Sequence, residues 1–205
     1  MITIIDYGLG NLFSLSSSLN YLGLENQISR DPKEIKKADR IILPGVGAFG
    51  DAIGKLKATG LDELLKEEAA KGKPLMGICL GMQLLFDKSE EYGTHEGLGL
   101  IPGVMASLKG EIREDLKVPH MGWNKLQFTE KGKTHPLLKY NSEDDYVYFV
   151  HSYYGKDCED SLLAWSEYGI PVTAAAANGN VMGTQFHPEK SGEVGLKLLK
   201  AFSEI

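Results

Sequence analysis

Cysteine is scarce in this sequence of 205 residues, which carries only Cys79 and Cys158. Two thiols cannot build a disulfide framework and neither lies in a paired metal-ligand spacing, so the natural reading is free thiols, with no metal. Long apolar runs are missing as well. No stretch approaches the roughly 18 apolar residues of a membrane helix. Met1 leads straight into Ile2-Thr3-Ile4-Ile5-Asp6 with neither a basic leader nor a cleavage site, so a cytoplasmic protein without a membrane partner is expected. Basic charge is in deficit, 22 Lys and Arg against 28 Asp and Glu for a net −6, the opposite of a surface that tracks phosphates. Nucleic acid is therefore not an expected partner. Internal repeats, low-complexity tracts and Pro/Ser-rich linkers are absent too, which predicts a single domain over residues 1–205.

What is present suits a folded enzyme: 42% hydrophobic and 24% charged residues are ordinary for a packed globular chain. Short apolar runs alternate with amphipathic stretches over the first hundred residues, the pattern of βαβ units around a parallel sheet. Ile2 to Ile5, Arg40 to Leu43 and Pro74 to Ile78 read as buried strands; Asn11 to Leu22, Leu61 to Lys71 (stopped by Gly72) and Leu80 to Phe86 read as helices. Beyond Gly97 the runs Val104 to Leu108, Lys125 to Phe128, Tyr146 to Val150 and Leu162 to Glu167 look antiparallel. Val172 to Ala177 and Val181 to Phe186 read as a hairpin through Asn178-Gly179-Asn180, and Glu193 to Phe202 as a closing helix. The expected fold is α/β, a mixed sheet with a parallel core and an antiparallel extension.

Chemistry concentrates at two places. Gly77-Ile78-Cys79-Leu80-Gly81 puts a cysteine on a sharp strand-to-helix turn, with glycines two positions away on each side to permit close backbone approach. A helix start favours the thiolate, and the Leu80 N–H can donate to an oxyanion. Taken alone, Cys79 is as readily one more buried small hydrophobe. The second place is Gln185-Phe186-His187-Pro188-Glu189. Pro188 biases His187 toward extended backbone, where residues i and i+2 share a side, so Glu189 can orient the His187 ring. Cys79, His187 and Glu189 then make a nucleophile, a base and its orienter.

Pro44-Gly45-Val46-Gly47 follows the second buried strand, and its glycines let backbone N–H groups of Gly45, Val46 and Gly47 point into a site as an oxyanion hole needs. Gly45 to Gly50 also matches a dinucleotide fingerprint, but weakly. The acidic residues about 20 positions on, Glu67 and Glu68, fall inside a helix instead of at a strand end. No cofactor is expected.

With these residues in view, the chain resembles the triad-type, class I glutamine amidotransferases, whose signature is a Gly-x-Cys-x-Gly elbow and a His-Pro-Glu segment near the C-terminus. Longer blocks, Asp6 to Asn11, Pro44 to Phe49, Gly77 to Phe86 and Pro119 to Asn124, look like the amidotransferase subunits of imidazole glycerol phosphate synthases, over essentially the whole length. The resemblance implies hydrolysis of glutamine to glutamate and ammonia. The ammonia would pass to a separate cyclase subunit, a (β/α)8 barrel, in a heterodimer that makes imidazole glycerol phosphate and an aminoimidazole nucleotide.

It further implies that Gln83 and Glu91 hold the amino-acid end of the substrate and that His151, Ser152 and Tyr153 line the same pocket. Two of these have a blander reading, Gln83 as a cap or solvent-facing residue of its helix and Glu91 as one charge in an acidic run. The oxyanion hole is expected to become productive only on the loaded partner. His120-Met121-Gly122-Trp123-Asn124, bracketed by Pro119 and Gly122, reads as a loop. With Asn11 nearby, its residues His120, Met121 and Trp123 are expected to dock the cyclase, although a tryptophan also commonly packs in its own core. Cys158 has no matching role and is read as a partly exposed thiol. Two rivals stay open: another Cys-His hydrolase on the same scaffold, such as a γ-glutamyl peptidase, and a catalytically silent regulatory module.

Overall fold

The structure, a computed structural model, describes residues 1–205. Strands and helices alternate through the first half: β1 (Ile2–Ile5), α1 (Leu12–Tyr21), β2 (Asn26–Ser29), α2 (Pro32–Lys37), β3 (Arg40–Gly45), α3 (Phe49–Thr59), α4 (Leu61–Ala70), β4 (Leu75–Cys79) and α5 (Leu80–Leu85). Short strands dominate the second half: β5 (Phe86–Ser89), β6 (His95–Glu96), β7 (Ile101–Ser107), β8 (His120–Lys125), β9 (Gln127–Phe128), then α6 (Glu130–Thr134), β10 (Tyr146–His151) and β11 (Tyr153–Lys156). The chain ends with β12 (Leu162–Glu167), β13 (Pro171–Asn178), β14 (Val181–Thr184) and α7 (Gly192–Ser203). No helix is long and apolar enough to cross a membrane.

The main sheet runs in the order β2-β1-β3-β4-β14-β13-β12-β9. Every pairing from β2 to β14 is parallel, and those beyond it are antiparallel. Both faces are covered at the inner strands β1, β3 and β4, which is why these read as apolar runs, whereas the edge strand β2 does not. Ile41 and Leu43 pack with Leu56, Leu61 and Leu65 of α3 and α4. Ile42, between them in sequence, packs on the opposite face with Leu15 and Leu19 of α1 and Leu198 and Phe202 of α7. This burial leaves β4 in the middle, with β3 on one side and β14 on the other. Gly45 pairs with Cys79 and Thr184 with Ile78, so both neighbouring strands end beside the cysteine.

The structure differs from the sequence expectations in three places. First, β2 and α2 went unread, because Asn26–Ser29 has one apolar residue and six residues of helix are too few to show a period. The local start signal was nonetheless there, since Asp31 caps α2 by accepting from Lys33 N–H at 2.8 Å with Pro32 behind it. Second, residues 120–125 are a strand and not a loop: β8 pairs antiparallel with β10 from His120↔His151 to Lys125↔Tyr146. Gly122 tolerates its φ of 122° in this two-stranded sheet, and the expected run Lys125 to Phe128 breaks at Leu126 between β8 and β9. The second half is also not wholly antiparallel, because β5 and β7 run parallel in the sheet β11-β7-β5-β6. Third, Cys158 is buried, its Sγ 3.7 Å from Thr173 Oγ1, and burial pushes its pKa up, so it is neither exposed nor a ready nucleophile.

Candidate active site

Cys79 ends β4 and turns directly into α5 with φ 54° and ψ −114°, a backbone that L residues rarely adopt and that costs on the order of 1–3 kcal/mol. Glycines make the turn possible. A Cβ on Gly81 would sit 1.8 Å from the Leu43 carbonyl oxygen, and one on Gly77 would sit 2.6 Å from the Gly81 backbone. The helix start is thereby pressed against β3, and the thiol is lifted into a cavity of about 280 Å³, close to the size range of small-metabolite sites.

Across that cavity, His187 N–H donates to the Tyr148 carbonyl at 3.0 Å, and its own carbonyl accepts from Ser191 Oγ at 2.7 Å. The backbone is extended at His187, but residues 188–190 then form a tight 3-10 turn. Glu189 therefore meets the ring by the chain folding back, not by facing along a strand. The carboxylate can only accept, so Nδ1 carries the proton and donates to Glu189 Oε1 at 2.8 Å. His187 Nε2 is buried without a hydrogen-bond partner, as is Glu189 Oε2. Burial alone would push the imidazole pKa down; Cys79 and Glu189 outweigh it and raise the value to about 9. The thiol is not in hydrogen-bond geometry with Nε2: it points to the Val150 carbonyl at 3.9 Å and receives Gln185 Nε2 at 3.7 Å. Gln83 in turn donates to Gln185 Oε1 at 3.0 Å.

The cavity wall contains Val46, Gly47, Leu80, Gln83, Glu91, His151, Ser152 and Tyr153 together with Cys79 and His187. Neither Val46 N–H nor Gly47 N–H has a partner in the chain. Gly47 has φ 101° with open space where a Cβ would be, so its glycine serves conformation and not clearance. Gly45 lies beneath the wall, in register with Cys79, and Glu189 lies behind His187. Pro119, read as bracketing the 120–124 segment, and Val150, read as a strand end, also line the cavity, although neither was expected in the site. Gln185 was missed too, despite sitting two residues before His187.

His151 is fixed by its neighbours. Its Nδ1 donates to the Tyr153 carbonyl at 2.8 Å, leaving Nε2 to accept from His120 Nδ1 at 2.9 Å. His120 stacks between Phe149 and Tyr168, with ring centroids 4.7 and 4.0 Å away. Burial pushes His151 down to about 3 and His120 down to about 4, so both rings are neutral at physiological pH. His120 thus faces inward, whereas Met121 and Trp123 on the other face of β8 are 61% and 54% exposed. Asn11 is half-buried before α1 and makes no side-chain cap.

The family model for class-I glutamine amidotransferase matches residues 3–204. The imidazole glycerol phosphate synthase subunit HisH of Listeria monocytogenes serotype 4a is 51% identical over 205 residues, covering 100% of this chain and 96% of the relative. The protein of the same name from a Geobacillus species is 53% identical over 208 residues, covering 100% and 97%. Among solved structures, PurLQS from Thermotoga maritima superposes with a TM-score of 0.76 over 99% of this chain and 97% of that one, at 20% identity, a likeness of fold.

Proposed function

The chain belongs to the class-I glutamine amidotransferases, and from that premise we propose that it is the glutaminase subunit of an imidazole glycerol phosphate synthase, serving histidine biosynthesis. The observation that carries the reading is the single cavity in which Cys79, His187 backed by Glu189, and the unpartnered N–H groups of Val46 and Gly47 meet.

In this mechanism Cys79 Sγ attacks the side-chain amide carbon of glutamine while His187 Nε2 holds the thiol proton. With its pKa raised to about 9, the imidazole is a base strong enough to hold that proton. The oxyanion is held by backbone N–H groups of the Gly45-Val46-Gly47 segment and of Leu80. His187 then gives its proton to the departing ammonia, and water activated by the same nitrogen opens the glutamyl thioester. Glu189 keeps Nδ1 protonated throughout. A carboxylate suits the substrate ammonium, which assigns that group to Glu91; Gln83, His151, Ser152 and Tyr153 enclose the rest of the amino-acid end.

The partner in this reading is a cyclase subunit, a (β/α)8 barrel in a heterodimer, docking on the face that carries Asn11, Met121 and Trp123. His120 supports that face from within through His151 and through Asn124, whose Nδ2 lies 3.3 Å from His120 Nε2. Thiol labelling with a glutamine-like chloroketone tests the function: stoichiometric modification of Cys79, blocked by glutamine, is expected. Modification confined to Cys158, or none, would favour a silent regulatory module.

A further inference from the structure

The Gly45–Ala48 segment crosses from β3 to α3 without any partner for the Val46, Gly47 and Ala48 N–H groups, yet each of its ends is tied to a side chain from elsewhere. At the near end, the Tyr7 phenol donates to the Pro44 carbonyl at 2.8 Å in a fully buried contact. Tyr7 stands just beyond β1, with 5% exposure, packed in the same cluster as Leu43 and Leu80. Its hydroxyl fills the place a side chain on Gly45 would take, since a Cβ there would lie 2.7 Å from Tyr7 Oη and 2.7 Å from Gly81 N. One phenol therefore touches both the strand that carries the oxyanion donors and the close approach of that strand to the elbow helix. Burial, and to a lesser degree the nearby Cys79, raise the Tyr7 pKa, so the hydroxyl keeps its proton and remains a donor at working pH.

At the far end, Glu91 Oε2 accepts from the Phe49 N–H, the first amide of α3. Phe49 is fully buried and anchors the helix, whereas Glu91 comes from the turn after β5 and lines the cavity. Glu91 Oε1 has no protein partner. The same carboxylate thus holds a backbone amide two residues from Gly47 and has an oxygen to spare for a ligand.

We infer that Tyr7 and Glu91 are positioning residues for oxyanion stabilisation: they hold the Gly45–Ala48 segment at its two ends, and Glu91 links binding of the substrate ammonium to the setting of that segment. A peptide plane fixed at Pro44 sets where the next N–H groups point, and a fixed Phe49 amide limits how far the segment can swing. A substrate ammonium on Glu91 draws on the carboxylate that holds Phe49, so occupancy of the amino-acid subsite is felt by the oxyanion donors. The inference rests on the glutaminase reading above.

Tyr7→Phe, Glu91→Gln and Glu91→Ala, each measured in the complex with the cyclase partner, test it. Tyr7→Phe removes one oxygen and keeps the ring, so the fold is retained; kcat for glutamine hydrolysis should fall about tenfold, in line with the loss of one positioned hydrogen bond. KM should stay within about twofold, because ground-state binding is untouched. The rate of Cys79 alkylation by iodoacetamide should not change, since alkylation needs the thiolate and no oxyanion donor. Glu91→Gln keeps an oxygen that can accept from Phe49 N–H but loses the charge, so KM should rise and kcat should fall less than in Glu91→Ala, which loses both contacts. Wild-type kcat in Tyr7→Phe, or a parallel fall in its alkylation rate, overturns the role of Tyr7. Equal kcat in Glu91→Gln and Glu91→Ala overturns that of Glu91. Failure of the chloroketone to label wild-type Cys79 would instead reject the glutaminase reading itself.

Discussion

Nδ1 of His187 donates to Oε1 of Glu189 at 2.8 Å, with only 2% and 3% of the two side chains exposed. This pair and the adjacent Cys79 raise the imidazole pKa from 6.5 to about 9, against the opposing effect of burial. A group whose folded pKa is raised contributes stability that is full below its unfolded pKa and is lost as pH climbs through the folded value. His187 should therefore stabilise the fold fully below about pH 6.5, with the contribution falling away by about pH 9. NMR titration of the His187 ring checks the cause: the midpoint should move down in Cys79→Ala and in Glu189→Gln, each of which removes one raising influence. An unchanged midpoint in both variants would contradict the assignment.

Gly47 needs its glycine for φ 101° and not for space, since nothing lies within 4 Å of a Cβ built there. Gly47→Ala should cost about 1 kcal/mol of stability from left-handed backbone strain. Any shift that relieves the strain moves the neighbouring N–H donors, so kcat should drop about 10²-fold with little change in KM, the scale of a lost oxyanion donor. For the same reason partner binding should act on wild-type kcat far more than on KM. Steady-state glutaminase assays with and without the loaded cyclase decide this; an isolated chain as fast as the complex rules out the gating.

Trp123 is 54% exposed on the outer face of β8 and packs edge-on against Tyr148, ring centroids 6.1 Å apart. Tyr148 also gives its carbonyl to His187 N–H, so a load on Trp123 lies one side chain from the base. Trp123→Ala should lower monomer stability by less than about 1 kcal/mol, as exposed substitutions do. Partner affinity should weaken about 30-fold, the effect of a hot-spot residue worth about 2 kcal/mol. Calorimetry of the two subunits alongside thermal melts separates the outcomes: a large stability loss with unaltered affinity would place the role of Trp123 inside its own subunit.

Much of this site was legible because close approach leaves marks in sequence. Gly77 and Gly81 are glycines because backbone atoms stand where their side chains would be, and that need shows as the spacing around Cys79. The parallel core was legible because strands buried on both faces must be apolar throughout. The contacts that bind the site across distance were not. Tyr7 reaches Pro44 over 37 residues and Gln185 reaches Cys79 over 106, and no local period reports such pairs. Gln185 could have been found by the same-side rule, which fits it better than Glu189. His120 and Trp123 fell in one segment read as a loop; only its pairing with β10 reveals that one faces in and the other out.

In the proposed function, Cys79 releases ammonia that another subunit consumes. Cys79→Ala, reconstituted with the cyclase, isolates that step: product formation should vanish with glutamine as nitrogen source, by a factor of at least about 10³, yet proceed at the wild-type rate when ammonium is supplied in solution. Equal loss with both nitrogen sources, or full activity with glutamine, would contradict it.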